Sequence, residues 1–303
     1  MRRWIVLGVL VTIGALSLVV TANQQQGDMV VEVEQLEDNL FVLRGAGGNT
    51  AVFVTSDGVA VVDTMMAGWG RPILDAIKQL TTKPVTMIIN THTHFDHVSG
   101  NVEFPATVEV VAHENTQRLM HEWNLIAGFN FAGEDVFAAS DGKGIATRTF
   151  RDRMTLGSGA DQIDLYYFGR GHTGGDAWVV FPSLRTVHTG DMFPDKQVPV
   201  MDVNNGGSGV DFPETLSNGY TTLTDIDTII TGHSSTQMTR DDLREYAEFM
   251  GDLVATIREG KEAGRSIDDI TDAWEIPARF AGYSAQPPER VNPFLQVIYD
   301  ELP

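Results

Sequence analysis

The sequence predicts a mixed α/β (α+β) fold made of two loosely repeated halves and a helical tail. Three observations predict it. Apolar and polar residues alternate between positions 30 and 63 in the manner of strands; a helix and a buried strand follow; and residues 163 to 233 repeat that plan before the pattern turns helical at Thr239. With 303 residues, 42% of them hydrophobic, the chain is long enough for one large domain or two small ones, and disorder is excluded.

The first half opens with "VVEVEQL", "LFVLRG" and "AVFVTSDGVAVVDT", where Ser56-Asp57-Gly58 turns one β-branched run back on another. Arg71 to Leu80 carries Pro72 in its first turn and apolar Ile73, Leu74, Ile77 and Leu80 at helical spacing. Val85 to Asn90, "VTMIIN", then reads as a buried strand. In the second half "IDLYYFG" runs into "RGHTGGD", "AWVVFPSLRTVHTGD" forms a hairpin about Pro182-Ser183, and "DTIITGH" ends on a histidine. Thr239 with Asp242, and Ser266 with Asp269, read as capping boxes of tail helices. With no low-complexity linker before it, the tail (238–303) is expected to pack on the main body (30–237).

The N-terminus, "MRRWIVLGVLVTIGALSLVVTANQQQGD", has two arginines, an uncharged run from Trp4 to Val20 and then Val20-Thr21-Ala22. These are the parts of an export signal over residues 1–22, cut after Ala22, with a retained anchor helix as the alternative. The folded part is expected to be periplasmic or secreted, without stable membrane association once the signal is removed.

Charge and cysteine content narrow the chemistry. Against 41 Asp+Glu stand 21 Lys+Arg, a formal net charge of −20. Such a surface repels phosphate backbones and anionic lipid, which excludes nucleic acid as a partner and leaves a small-molecule substrate. No cysteine is present, so a metal site must be built from imidazole, carboxylate, backbone or water.

The stretch "NTHTHFDHVSGN" holds His92, His94, Asp96 and His97, although the whole chain has eight histidines. In an extended segment side chains two apart point the same way, so His92 and His94 can reach one ion. Asp96 and His97 follow directly and are expected to serve a second. His172, Asp191 and His233, each beside a glycine in "GHTGG", "TGD" and "TGH", complete the set. The expected assignment is His92, His94 and His172 to one ion, Asp96, His97 and His233 to the other, and Asp191 as a bridge, with room left for water. Nitrogen and oxygen donors favour two zinc ions, with manganese or iron possible.

"HTHFDH", with His172, Asp191 and His233, resembles the HxHxDH site of the metallo-β-lactamase superfamily of binuclear hydrolases. The resemblance covers roughly residues 30 to 237. It implies a four-layer αβ/βα sandwich, and a hydroxide held between two ions about 3.5–4 Å apart that attacks an ester, lactone, thioester or lactam carbonyl. Asp96 is the candidate catalytic residue. Asp63, ending "VAVVD", resembles the family's aspartate that orients a ligand imidazole. An aspartate at position 191 excludes the branch with a cysteine ligand and resembles the bridging-aspartate enzymes such as glyoxalase II and the lactonases. A histidine at position 94 argues against the diiron oxygen-reducing branch. The alternatives are a β-lactamase proper and a non-catalytic metal-binding accessory protein.

Other features carry weaker expectations. His113 is expected at a helix start, His121 in a helix or lid, and His188 inside a strand. The aromatic segment 123–137 reads equally as a lid over the metals or as core, and "NNGGSG" (204–209) as a mobile rim or a surface loop.

Overall fold

The computed structural model describes residues 29–284 and 286–303, and the expected export signal lies outside them. Two sheets face each other. In the first, β1 (Glu32–Glu37), β2 (Leu40–Arg44), β3 (Thr50–Val54) and β4 (Val59–Val62) form an antiparallel meander. The meander turns at the Ser56-Asp57-Gly58 segment, where Thr55 N–H donates to the Gly58 carbonyl. Helix α1 (Gly70–Leu80) then crosses to β5 (Val85–Ile89), which pairs parallel to β4 and is followed by parallel β6 (Glu109–His113) and β7 (Arg148–Phe150). Between β5 and β7 lie the short helix α2 (Phe95–Val98), α3 (Glu114–Glu122) and the one-turn α4 (Val136–Ala139).

The second sheet runs β12-β11-β10-β9-β8, from β8 (Arg153–Leu156), β9 (Ile163–Tyr166), β10 (Trp178–Phe181), β11 (Thr186–His188) and β12 (Thr228–Ile230). Its hairpin turns on Pro182–Leu184 with Arg185 left-handed. Helix α5 (Phe212–Thr222) precedes β12, and α6 (Arg240–Glu262), α7 (Ile267–Ala273) and α8 (Pro288–Glu301) follow it. Both expected caps form: Thr239 and Asp242 make a reciprocal capping box, and Ser266 accepts from the Asp269 N–H.

Strand alternation dictates the layering. Leu40, Val42, Ala51, Phe53, Ala60 and Val62 face inward and meet Leu165, Val179, Phe181 and Ile230 of the other sheet. Their neighbours Phe41, Leu43, Val52, Val59 and Val61 face outward and pack on Ile73 and Ile77 of α1. On the far side Trp178, Val180 and Val187 pack on Leu216 of α5, on Leu253 and Ile257 of α6, and on Leu295 of α8. Three apolar interfaces therefore separate four layers, α/β/β/α, and the tail helices belong to the outermost one. Val31–Pro303 is one compact unit. Among the described residues no helix is long and apolar enough to cross a membrane.

The strands β4 and β5 run parallel in the first sheet, and β9, β11 and β12 are mutually parallel in the second. Their C-terminal ends lead directly into Asp63, into residues 90–97, and into the loops bearing His172, Asp191 and His233. All the candidate donors thus come from one kind of strand end.

Candidate metal centre

Three groups of donors come together, and within each group one ligand atom per residue lies within 4.8 Å of the others. They are His92, His94, His172 and Asp191; Asp63, His92 and His97; and Asp96, His97 and His233. All seven residues expected as ligands are therefore gathered, with Asp63 beside them. His172 Nε2 lies 2.9 Å from His94 Nδ1, and His97 Nε2 lies 3.3 Å from His233 Nε2. Asp191 stands between the two sets: Oδ2 is 3.2 Å from His233 Nε2 and 3.6 Å from His172 Nε2, while Oδ1 is 3.4 Å from His97 Nε2. Asp96 Oδ2 lies 3.5 Å from His233 Nε2 and 3.8 Å from His97 Nε2.

The local backbone differs from the expected extended segment. Residues 91 and 92 form a bend, and Phe95–Val98 a helical turn, with His97 N–H donating to the His94 carbonyl. The turn sets Asp96 and His97 beside His233, while the His92 ring lies between the sets, 4.2 Å from the His97 ring and 4.8 Å from that of His94. The glycines beside the donors allow close approach. A Cβ on Gly232 would run into the Asp191 carboxylate, and one on Gly48 would occupy the His97 ring.

Three of the imidazoles are held from behind. His97 Nδ1 is 2.8 Å from Asp63 Oδ2, and Asp63 in turn accepts from Thr91 N–H (2.8 Å) and Thr91 Oγ1–H (2.7 Å). His172 Nδ1 donates to the Val200 carbonyl at 2.8 Å. His94 Nε2 is 2.8 Å from Asp202 Oδ2, a partner that sequence reasoning missed. Asp202 lies 108 positions from His94 in an irregular loop, and a lone acid there has no pattern to mark it. These contacts fix the tautomers so that the opposite nitrogens face the cluster.

The site divides by charge. Burial, then the imidazoles of His97 and His172, hold His92 well below the ordinary histidine value. Burial and the His94 imidazole bring His172 down to about 4. At His97 burial opposes protonation, but the carboxylates of Asp191, Asp96 and Asp63 outweigh it and hold the ring well above its ordinary value. His233 is raised in the same way, by Asp191 against burial. Burial would raise Asp191, yet the charges of His233 and His97 hold it well below the usual carboxylate range.

His92 Nε2 and Asp191 Oδ1 are buried without a hydrogen-bond partner. Such an atom costs about 1–3 kcal/mol unless something satisfies it, and both belong to the donor groups. A divalent cation fits this set of nitrogen and oxygen atoms.

A family model of the metallo-beta-lactamase superfamily matches residues 43–263. The chain belongs to the metallo-β-lactamase superfamily. It is similar to a metallo-beta-lactamase type 2 of Elizabethkingia meningoseptica, 25% identical over 236 residues that cover 72% of this chain and 87% of that protein. It is also similar to a hydroxyacylglutathione hydrolase of Crocosphaera subtropica, 30% identical over 159 residues covering 52% of this chain and 49% of that one. A solved metallo-beta-lactamase from Pontibacter korlensis shares the fold, with a TM-score of 0.59 at 19% identity over 73% of this chain and 99% of that one. This member of the superfamily is a metal-dependent hydrolase, and enzymes of the superfamily act on small molecules.

In this metallo-β-lactamase superfamily member a cavity of about 460 Å³ adjoins the cluster. His94, Asp96, Asp191 and His233 line its polar side, and Ile126, Phe129, Phe131 and Phe294 its apolar side. The aromatic segment 123–137 therefore splits. Its ends are core, with Trp123 edge-on to buried Phe137, while its middle walls the cavity. The segment 204–209, expected as a mobile rim or a surface loop, is instead packed over its second half: Gly207, Ser208 and Gly209 are buried, and the Glu301 carboxylate accepts from Ser208 Oγ–H, Gly209 N–H and Val210 N–H. Its glycines let the backbone press against the His172 and Gly171 carbonyls. His113 caps α3, His121 lies in α3, and His188 is a buried member of β11, each in the kind of element expected for it.

Proposed function

We propose that this chain is an exported dizinc hydrolase that cleaves an ester, lactone, thioester or lactam carbonyl of a neutral or weakly charged small molecule. The observation that carries the reading is the gathering of seven nitrogen and oxygen donor residues, two with orphaned buried atoms, with His94, Asp96, Asp191 and His233 of the set lining a cavity that has an apolar wall. His92, His94 and His172 would hold one zinc ion, Asp96, His97 and His233 the other, and Asp191 would reach both. Zinc at these donors supplies a water of near-neutral pKa as nucleophile and polarises the carbonyl oxygen.

The chain's own residues do the rest. Asp63, Asp202 and the Val200 carbonyl keep three imidazoles aimed and leave their protons on the far nitrogens. Asp96 is partly exposed to the cavity. With one oxygen turned to His233 and His97, it has the other to accept a hydrogen bond from the attacking water. Phe129, Phe131 and Phe294 bind the apolar part of the substrate and exclude bulk water. The names of the two relatives, a β-lactamase and a hydroxyacylglutathione hydrolase, support cleavage at a carbonyl.

The test is zinc content of the purified protein together with hydrolysis of a panel of small esters, lactones, thioesters and lactams. Two equivalents of zinc and turnover that Asp96→Ala reduces to background are expected. Turnover confined to lactams would make the chain a β-lactamase proper. Full zinc loading with no turnover on any panel member would make it a metal-binding accessory protein. Export rests on the N-terminal pattern of residues 1–22. Mature protein beginning at Asn23, recovered from periplasm or medium, is expected; an intact chain confined to the cytoplasm would overturn it.

A further inference from the structure

A second cavity, of about 500 Å³, lies among the C-terminal helices. Trp274, Ile276, Phe280, Tyr283, Val291 and Leu295 give it an aromatic and aliphatic lining. Its lining residues include no lysine or arginine, and Glu275 is the one carboxylate among them. It therefore offers an anion no cationic side chain and favours an uncharged, largely apolar group.

Two residues, Val198 and Gln286, line both this cavity and the one beside the metal cluster. The shared wall is close to the chemistry in sequence as well, since Val198 is two residues from Val200, whose carbonyl holds His172. Gln286 donates from Nε2 to Gln197 Oε1 at 2.7 Å, while its own Oε1 is buried with no hydrogen-bond partner. Apart from Val198, every residue lining the second cavity lies beyond residue 263, where the family match ends. The chamber is thus a property of this chain's tail.

We propose that the C-terminal helices build a second substrate chamber, which takes an uncharged acyl or aryl tail of the molecule whose carbonyl is cleaved in the first. The inference rests on the hydrolase reading above and adds the substrate's shape: a reactive carbonyl at one end and an apolar tail at the other. Burial of the tail supplies binding energy at a distance from the reacting bond. Longer tails should therefore raise kcat/KM until the chamber is full.

The experiment uses the full-length zinc-loaded protein with p-nitrophenyl acetate, butyrate and octanoate. From butyrate to octanoate kcat/KM is expected to rise by at least about tenfold, from partial burial of the added methylenes. Ala278→Trp and Ala281→Trp place bulk in the chamber from small exposed residues of its lining, and each is expected to bring the octanoate-to-butyrate ratio down towards one. A binding measurement runs in parallel on chelator-treated protein. The neutral fluorophore N-phenyl-1-naphthylamine should bind, be displaced by octan-1-ol, and bind more weakly to both variants, whose folding is checked by thermal melts. Butyrate turnover without preference for octanoate, or a preference and a probe affinity that survive both substitutions, would overturn the chamber. If no ester is turned over, the ester reading fails separately, and probe binding alone decides the chamber.

Discussion

Asp63 holds Nδ1 of His97 at 2.8 Å, and both side chains are fully buried. Asp63 does so from a left-handed backbone conformation, φ 60°, which for a residue with a Cβ costs roughly 1 kcal/mol. That strain places its second oxygen under the Thr91 N–H, so one carboxylate fixes both the end of β5 and the ring of His97. Asp63→Asn tolerates the same backbone but removes the charge. Zinc titration is expected to show an affinity about 10–100-fold weaker for one of two equivalents, and equal affinity for both would refute this role.

Asp202 ties the other imidazole to the cavity wall. Its Oδ2 meets His94 Nε2 and Asn205 Nδ2–H, and its Oδ1 accepts from the Ala127 N–H at 2.9 Å, in the segment that carries Phe129 and Phe131. Asp202→Ala is expected to weaken metal binding about tenfold or more and to raise KM, because ring and wall lose one anchor. A change in metal affinity with KM untouched would separate the two roles.

Two glycines should answer oppositely to alanine. At Gly232 a Cβ would collide with the Asp191 carboxylate, so Gly232→Ala is expected to displace a donor and abolish activity. At Gly251, within α6, a Cβ meets nothing within 4 Å, and Gly251→Ala should stabilise the fold by about 0.5–1 kcal/mol in urea unfolding, from helix propensity alone. Equal behaviour at the two sites would contradict the packing described for the cluster.

Asp176 makes stability depend on pH. Burial pushes its carboxyl up to about 7, against hydrogen bonds from Thr173 N–H and Oγ1–H that lower it. An unfolded aspartate titrates near about 3.9, so between the two values the folded chain keeps a proton that the unfolded chain has released. The stability contributed by that proton is fully present below about 3.9 and is lost as pH rises through about 7. In chelator-treated protein, wild type should therefore lose stability relative to Asp176→Asn, on the order of 2–4 kcal/mol between about pH 5 and pH 8. A difference that stays flat across that range would show that Asp176 is ionised throughout.

The sequence by itself determined β1–β5 of the first sheet and β9–β12 of the second, helix α1, the two tail caps and the seven residues that cluster, whereas β6, β7 and β8 went unread. Period-two alternation, helical spacing and capping chemistry are local, and HxHxDH places four donors in one short run. Tertiary structure alone decided what lies behind and around those donors. Asp202 reaches His94 across 108 positions, Val200 offers a backbone carbonyl that no side chain announces, and Glu301 closes over Gly209 from 92 positions away. Such partners are chosen by where the loops converge, and convergence depends on three apolar interfaces closing together, which no single stretch of sequence records.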